Sequence, residues 1–238
     1  MNVSIYQAAA AMNASARWQD TISENLAASS VPGARSRDVS FSSVQSSSQF
    51  VIPSATTGVN FQPGEVKPTG NPFDFALEGK GFFEVQLPNG DLGYTRDGEF
   101  HLNSLGQIVT KQGYNLMGEG PALQVDPTRG GALSISANGE ISQGGEIKGK
   151  VKIAEFANPK LLTPLGSSMF RADNPNLTRV TTPSTQIRQG FVEASNVSTT
   201  AEMASLISAM RAFETNQKVI QMQDERMGRT ITELGTPT

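Results

Sequence analysis

The chain has 238 residues and a formal charge of −3 with pI near 5.3, which gives no reason to expect nucleic acid or an anionic membrane surface as partner. It has no cysteine, which removes disulfides, thiolate chemistry and most structural zinc sites together. Hydrophobic residues at 37% and charged residues at 17% are both low, and point to an extended or multi-part molecule rather than a compact enzyme.

The first predicted element is a helix over 3–28, in which Ile5, Ala8, Met12, Ile22 and Leu26 share a stripe of seven-residue period interrupted by Ser15 and Gln19. Alanines 8 to 11 favour helix and allow a neighbouring backbone to come close. Pro32 and Gly33 mark its end. The start lacks a positive charge and a continuous apolar stretch, so the expectation is a chain without a cleaved Sec signal. No run of about eighteen apolar residues occurs, so no membrane insertion is expected.

Residues 36–58 include eight serines, and only Arg37 and Asp38 are charged. They read as an extended linker or edge strand. From Phe73 to about Val180 the signal is β. Phe73, Phe75 and Leu77 alternate onto one face, and short runs follow at FFEVQL, LGYTR, EFHL, QIVT, YNLM, ALSIS, EIS and KVKIAEF. Turn signals separate them: PNGD at 88–91, Asp97-Gly98 read as a hairpin turn, and Asn138-Gly139. The spacing suggests a sandwich or small barrel.

The helical period returns after residue 198. Thr199 with Glu202 has the spacing of a capping box. Steps of three and four then give Met203, Leu206, Met210, Phe213, Gln217, Ile220, Asp224, Met227, Ile231 and Leu234, closed by Gly235 and Pro237. The span 203–234 makes a rod of about 48 Å. Glu214–Lys218 and Glu225–Arg229 sit four apart in the favourable order. Burying one large apolar side chain is worth about 1.5–3 kcal/mol. Eight such residues left in water would forgo on the order of ten kcal/mol, so the seam requires a partner. One reading packs the seam on the β domain as an amphipathic cover; against it, a seven-residue repeat held over more than four heptads is a coiled-coil signal. The nearest candidate partner is the first helix, which is shorter and alanine-rich and cannot cover all of the seam; other copies of the chain are the natural remainder. Polar Gln217 and Asp224 would then fix register.

The single histidine, His101, lies between Phe100 and Leu102, so on a strand it faces away from them toward solvent. With one histidine and no cysteine, neither a zinc cluster nor a Cys-His pair is available, and no catalytic, metal-binding or cofactor-binding residues are expected. The glycine-rich GKGFF and MGEGP do not open helices, which argues against a phosphate cradle. Tyr94, Arg96 and Phe100 could line a ligand face, but Phe100 reads as core and Arg96 as a surface or interface charge.

Three ordered blocks carry a resemblance: ENLAASSVPGAR at 24–35, ALEGKGFFEV with GYTRDGEFHLNSLGQIVTKQGYNLMGEG in the middle, and QGFVEASNVSTTAEMASLISAMRAFETNQKVI toward the end. Together they resemble the rod and hook group of the axial proteins of the bacterial flagellum, with Ala28 and Pro32 as departures from the first block. The chain is too short for the hook protein, and the smaller rod proteins lack so large a β middle. The serine-rich RDVSFSSVQSSSQF replaces a Tyr-Gln-x-Leu-Leu-Tyr-like stretch of the distal rod type, which favours the proximal type. The resemblance implies an α+β fold with discontinuous coiled-coil-like terminal helices flanking an all-β middle. The parts would be an N-terminal helix (1–35), a serine-rich linker (36–70), an outer β domain (71–185), and a return segment with the C-terminal helix (186–238). It further implies a structural subunit without cofactor, partnered by other copies, by proximal and distal rod neighbours and by the flagellar type III export apparatus. Its place would be the rod crossing the periplasm. Asn25 of the first block joins the two helical stripes as an expected assembly residue. A fibre or adhesin subunit with coiled-coil ends is the structural rival.

Overall fold

The computed structural model describes residues 3–45, 51–120, 123–126, 133–166, 168–181 and 184–235. In chain order the elements begin with α1 (Val3–Ala28), β1 (Arg37–Gln45), β2 (Val51–Val59), β3 (Val66–Pro68), β4 (Phe75–Glu78) and β5 (Phe82–Gln86). Then come β6 (Leu92–Thr95), β7 (Phe100–Leu102), β8 (Ile108–Thr110), β9 (Asn115–Leu116), β10 (Leu133–Ile135) and β11 (Glu140–Gln143). The last are β12 (Glu146–Lys150), β13 (Ile153–Ala154), β14 (Thr163–Gly166), β15 (Met169–Arg171), β16 (Gln186–Gln189), β17 (Phe191–Glu193) and α2 (Thr199–Gly235). Terminal helices thus flank a β-rich middle, an α+β chain.

Two units divide it. The helical unit is Met1–Leu26, Arg37–Val59 and Ser198–Thr238; the β unit is Ala27–Ser36 and Asn60–Val197. In the helical unit the serine-rich stretch is a long hairpin: β1 and β2 pair antiparallel from Arg37↔Val59 to Gln45↔Val51. Alternation puts Val39, Phe41 and Ala55 on one face, and the Phe41 ring meets Trp18 of α1 edge-on at 5.5 Å.

In the β unit every strand pairing is antiparallel, and the largest sheet runs β14-β15-β6-β5-β9-β8-β7 with β13 alongside β5. A second sheet, β10-β11-β12, and the pairs β16-β4 and β17-β3 complete it. Apolar residues from both larger sheets and from the β16-β4 pair converge in one core, including Phe75, Phe83, Phe100, Ile108, Ile141 and Ile187. His101 is exposed while Phe100 is buried, as the alternation requires.

The turns at Gly90 and Gly139 are hairpin turns at positive φ, 85° and 87°. Asp97-Gly98 is not one. It joins β6 to β7, which are not neighbours in the sheet. Gly98 is there because its backbone lies against β4: Gly98 O accepts from Phe75 N at 2.9 Å, and a Cβ on Gly98 would stand 1.7 Å from Phe75 O.

Candidate assembly interface

Three side-chain bonds tie α1 to α2. Asn25 Nδ2 donates to Glu202 Oε1 at 2.8 Å, Gln19 Nε2 to Ala209 O at 3.3 Å, and Asn216 Nδ2 reaches Ser15 Oγ at 3.5 Å. As one index falls the other rises, so the helices run antiparallel. The face of α1 in this contact holds Ala8, Ser15, Ile22 and Asn25, all buried, with Ile5, Met12 and Leu26 half-buried on the same side. The facing positions of α2 are Glu202, Leu206, Ala209, Phe213, Asn216, Ile220 and Gln223, in alternating steps of four and three. Only Ala209 is fully buried; the others are half-buried.

The ten-residue seam is therefore split. Leu206, Phe213 and Ile220 turn toward α1, whereas Met203, Met210, Gln217, Asp224 and Met227 are exposed. The side chains of Ile231 and Leu234 lie outside those described. Met203 is 58% exposed, Ile207 55% and Met210 50%, a contiguous apolar column on the flank that α1 leaves open. Reading the seam in steps from Met203 merged two adjacent columns, because both carry large apolar residues. Ala209 and Asn216 were missed because one is small and the other polar. Length adds to the uncovered surface. The 26 residues of α1 make about 39 Å and the 37 of α2 about 56 Å. Extending the three contacts brings the start of α1 level with about residue 226 of α2, and 224–230 are all exposed.

Asn25 organises the base of this unit. Its Oδ1 accepts from Arg37 N at 2.8 Å and its Nδ2 donates to Arg37 O at 2.9 Å, which docks the start of β1 as a paired strand would. The same Nδ2 holds Glu202. Glu202 is thus not the far half of a capping box. Its carboxylate is turned to α1, and its backbone N bonds to Ser198 O at 2.9 Å. Arg37 also pairs with Glu24.

In the β unit, residues 31–36 are strapped onto β17 by a buried carboxylate. Glu193 Oε1 lies 2.7 Å from Arg35 NH1 and accepts from Gly64 N at 2.8 Å; Oε2 accepts from Arg96 NH1 at 3.1 Å. All three charged side chains are at most 4% exposed. Arg96 also donates to Gly79 O at 2.5 Å and stacks over Phe82. Burial lowers the Arg96 pKa to about 10, against the upward pull of Glu193. This corrects the surface reading of Arg96: its charge is interior and paired. Gly33, at φ +66°, donates to Glu193 O at 2.7 Å, and a Cβ on it would lie 2.2 Å from the Arg96 carbonyl carbon. Asn196 completes the strap, accepting from Ser36 N at 2.6 Å and donating to Asn60 O and Gln62 O at 3.0 and 2.8 Å. Residues 33–36 and 193–196, in or beside two of the sequence blocks, thus form two sides of one polar joint. A second buried carboxylate, Glu84 on β5, is paired with Lys152 at 2.7 Å and with Arg179.

Each buried ionic group is held by a structural partner, and no group of three potential metal ligands lies together among the described residues. No described helix is long and apolar enough to cross a membrane. The terminal helices pair antiparallel, the β-rich middle folds as its own unit, and an apolar flank of α2 is left open. The flagellar hook protein FlgE/F/G D1 domain family matches residues 76–143, and the flagellar basal body rod FlgEFG protein C-terminal family matches 188–233. The flagellar basal-body rod protein FlgF of Mesorhizobium japonicum is 32% identical over 99% of both chains, and that of Salmonella typhimurium 31% over 96% of this chain and 97% of its own. The rod protein FlgG of Buchnera aphidicola subsp. Baizongia pistaciae is 34% identical over 72% of this chain and 69% of its own. The chain belongs to the FlgE/F/G family of flagellar rod and hook proteins, and its role is structural rather than enzymatic.

Proposed function

We propose that the chain is a subunit of the proximal flagellar rod that polymerises through its terminal helices and passes torque from motor to hook. The observation that carries this is the open column Met203, Ile207 and Met210 on a helix whose other face α1 already occupies. Three large side chains at half exposure or more forgo several kcal/mol of burial, on the order of 1.5–3 each, which assembly would recover. In the polymer the helices form a coiled-coil-like inner tube and the β unit the wall around it. The antiparallel contact in steps of four and three supports the first part. The near end-to-end match with FlgF relatives supports the proximal over the distal type. In this reading the assembly residues are the α1 face Ile5, Ala8, Met12, Ile22, Asn25 and Leu26 together with the whole α2 seam, and the neighbours are copies of this chain and other rod proteins. Export runs through the type III apparatus, and the rod crosses the periplasm.

The test is the double variant Met203→Glu/Met210→Glu. Both side chains are exposed in the isolated chain, so the monomer should keep its helical circular dichroism. Cells expressing it as their only copy should lose motility, and their basal bodies should lack the chain. Normal motility would overturn the proposal.

A further inference from the structure

Two hairpins of the large sheet bound a groove in the β unit, away from both helices. It holds about 380 Å³ and opens to solvent; Gln86, Leu87 and Pro88 line it from the β5–β6 hairpin, Tyr114 and Asn115 from the β8–β9 hairpin. Gln86 pairs with Asn115 across β5 and β9. Val85 and Leu116, one step back on each strand, are buried in the core, so alternation turns the Gln86 and Asn115 side chains together onto the other face. Neither side-chain amide bonds to another described residue, and the hydroxyl of Tyr114, whose ring packs partly on the core, has no such partner either. The two turns end in Gly90 and Gly113, at φ 85° and 87°, and a Cβ on either would meet nothing within 4 Å. The backbone there favours glycine, and the space beside it is open.

The lining decides what can fill the groove. No charged residue contributes to it, and those beside it in the chain are occupied: Asp91 accepts from Asn89 Nδ2 at 2.6 Å, and Lys111 pairs with Glu99. A phosphate or nucleotide would find no cation. Leu87, Pro88 and part of one ring offer too little apolar surface for a lipid. Two free amides, each able to donate and accept, match the hydroxyl and acetamido groups of a sugar. The tyrosine ring and the proline match its C–H face. The volume lies toward the low end of the range of about 300–1,000 Å³ for small-ligand sites, which suits a sugar ring.

We propose that this groove binds an uncharged glycan of N-acetylhexosamine units. Gln86 and Asn115 bond its acetamido and hydroxyl groups, and Tyr114 seats a ring. In the periplasmic placement proposed above, the source is the glycan of the cell wall. The site lies wholly in the β unit and uses none of the assembly residues, so its failure would leave the assembly reading standing.

Titration of the full chain with chitotetraose, followed by amide NMR, tests the proposal. The signals of Gly90, Gly113 and Asn115 should move, with a Kd on the order of a millimolar. Gln86→Ala/Asn115→Ala should keep the folded spectrum and raise that Kd about tenfold or more. Cellotetraose, which lacks acetamido groups, should bind the unmodified chain as weakly as chitotetraose binds the double variant. Should the double variant lose its fold, Gln86→Ala alone takes its place, since Gln86 is exposed. No movement of these signals up to the solubility of the sugar would overturn the proposal. So would equal binding of cellotetraose, or shifts confined to other residues. Co-sedimentation with purified cell-wall sacculi tests the source: the unmodified chain should pellet and the double variant stay in solution. Equal fractions pelleting for both would overturn the wall as the source.

Discussion

Replacing Glu193 by alanine removes the one anion between two buried guanidinium groups. Arg35 and Arg96, at 2.7 and 3.1 Å from its two oxygens, would remain at 1% and 4% exposure without the carboxylate that pairs them. Breaking a buried pair in this way costs about 3–5 kcal/mol. The Gly64 N–H, now bonded to Oε1 at 2.8 Å, would lose its acceptor, for about 1–3 kcal/mol more. The sum, about 4–8 kcal/mol, approaches the whole stability of a typical domain, about 5–15 kcal/mol. Glu193→Gln keeps an acceptor for Gly64 and should fall at the lower end. Amide exchange followed by mass spectrometry on the full chain reads this region separately: peptides over 60–70 and 186–196 should lose protection in the alanine variant. A destabilisation below about 1 kcal/mol would refute the reasoning, since it would mean that the arginines are hydrated rather than dependent on Glu193.

Gly33→Ala should destabilise the β unit by about 2 kcal/mol or more, read from the urea midpoint, because φ +66° and contacts of 2.2–2.5 Å with the Arg96–Asp97 backbone leave no room for a Cβ. Asn25→Ala should unpin β1 and the start of α2 together, for about 2–4 kcal/mol, reported by fluorescence of the single tryptophan, Trp18, in the helical unit. An unchanged midpoint would deny Asn25 this role. Burial pushes the Asp97 carboxyl up to about 6 from 3.8, although Glu99 N donates to it. The folded state therefore holds this proton more tightly than the unfolded one, and its stability should rise as pH falls from about 7 to 4, by up to roughly 3 kcal/mol. Asp97→Asn should abolish that part of the pH dependence and be the more stable chain at pH 8. A wild-type advantage at pH 8 would contradict it.

The helices and most short strands were legible because their patterns are local. The stripe Ala8–Ile22 has a helical period, and Phe75–Leu77 or Phe100–Leu102 alternate within a few residues. What escaped depends on pairing across long stretches of chain. β16 and β17 are short, flank Gly190, and pair with β4 and β3 more than a hundred residues earlier. Glu193 inside β17 breaks the apolar pattern that marks a buried strand, yet it is buried because Arg35 and Arg96 come to it. Asp97-Gly98 carries a turn signature whose actual cause, the approach of Phe75 O, is tertiary. The serine-rich stretch has a weak apolar alternation, and its nine-pair hairpin register follows from pairing with itself. At the interface the sequence revealed an apolar helix with too much surface for α1. It did not reveal which column α1 takes, since Leu206 and Met203 are equally apolar and only the partner helix tells them apart.

The central claim is that the surface α1 leaves open on α2 is covered in the assembled rod. Imaging isolated basal bodies at residue resolution tests it most directly. Met203, Ile207 and Met210 should lie buried against a helix of an adjoining subunit. A rod containing this chain in which those three side chains face solvent would contradict the account.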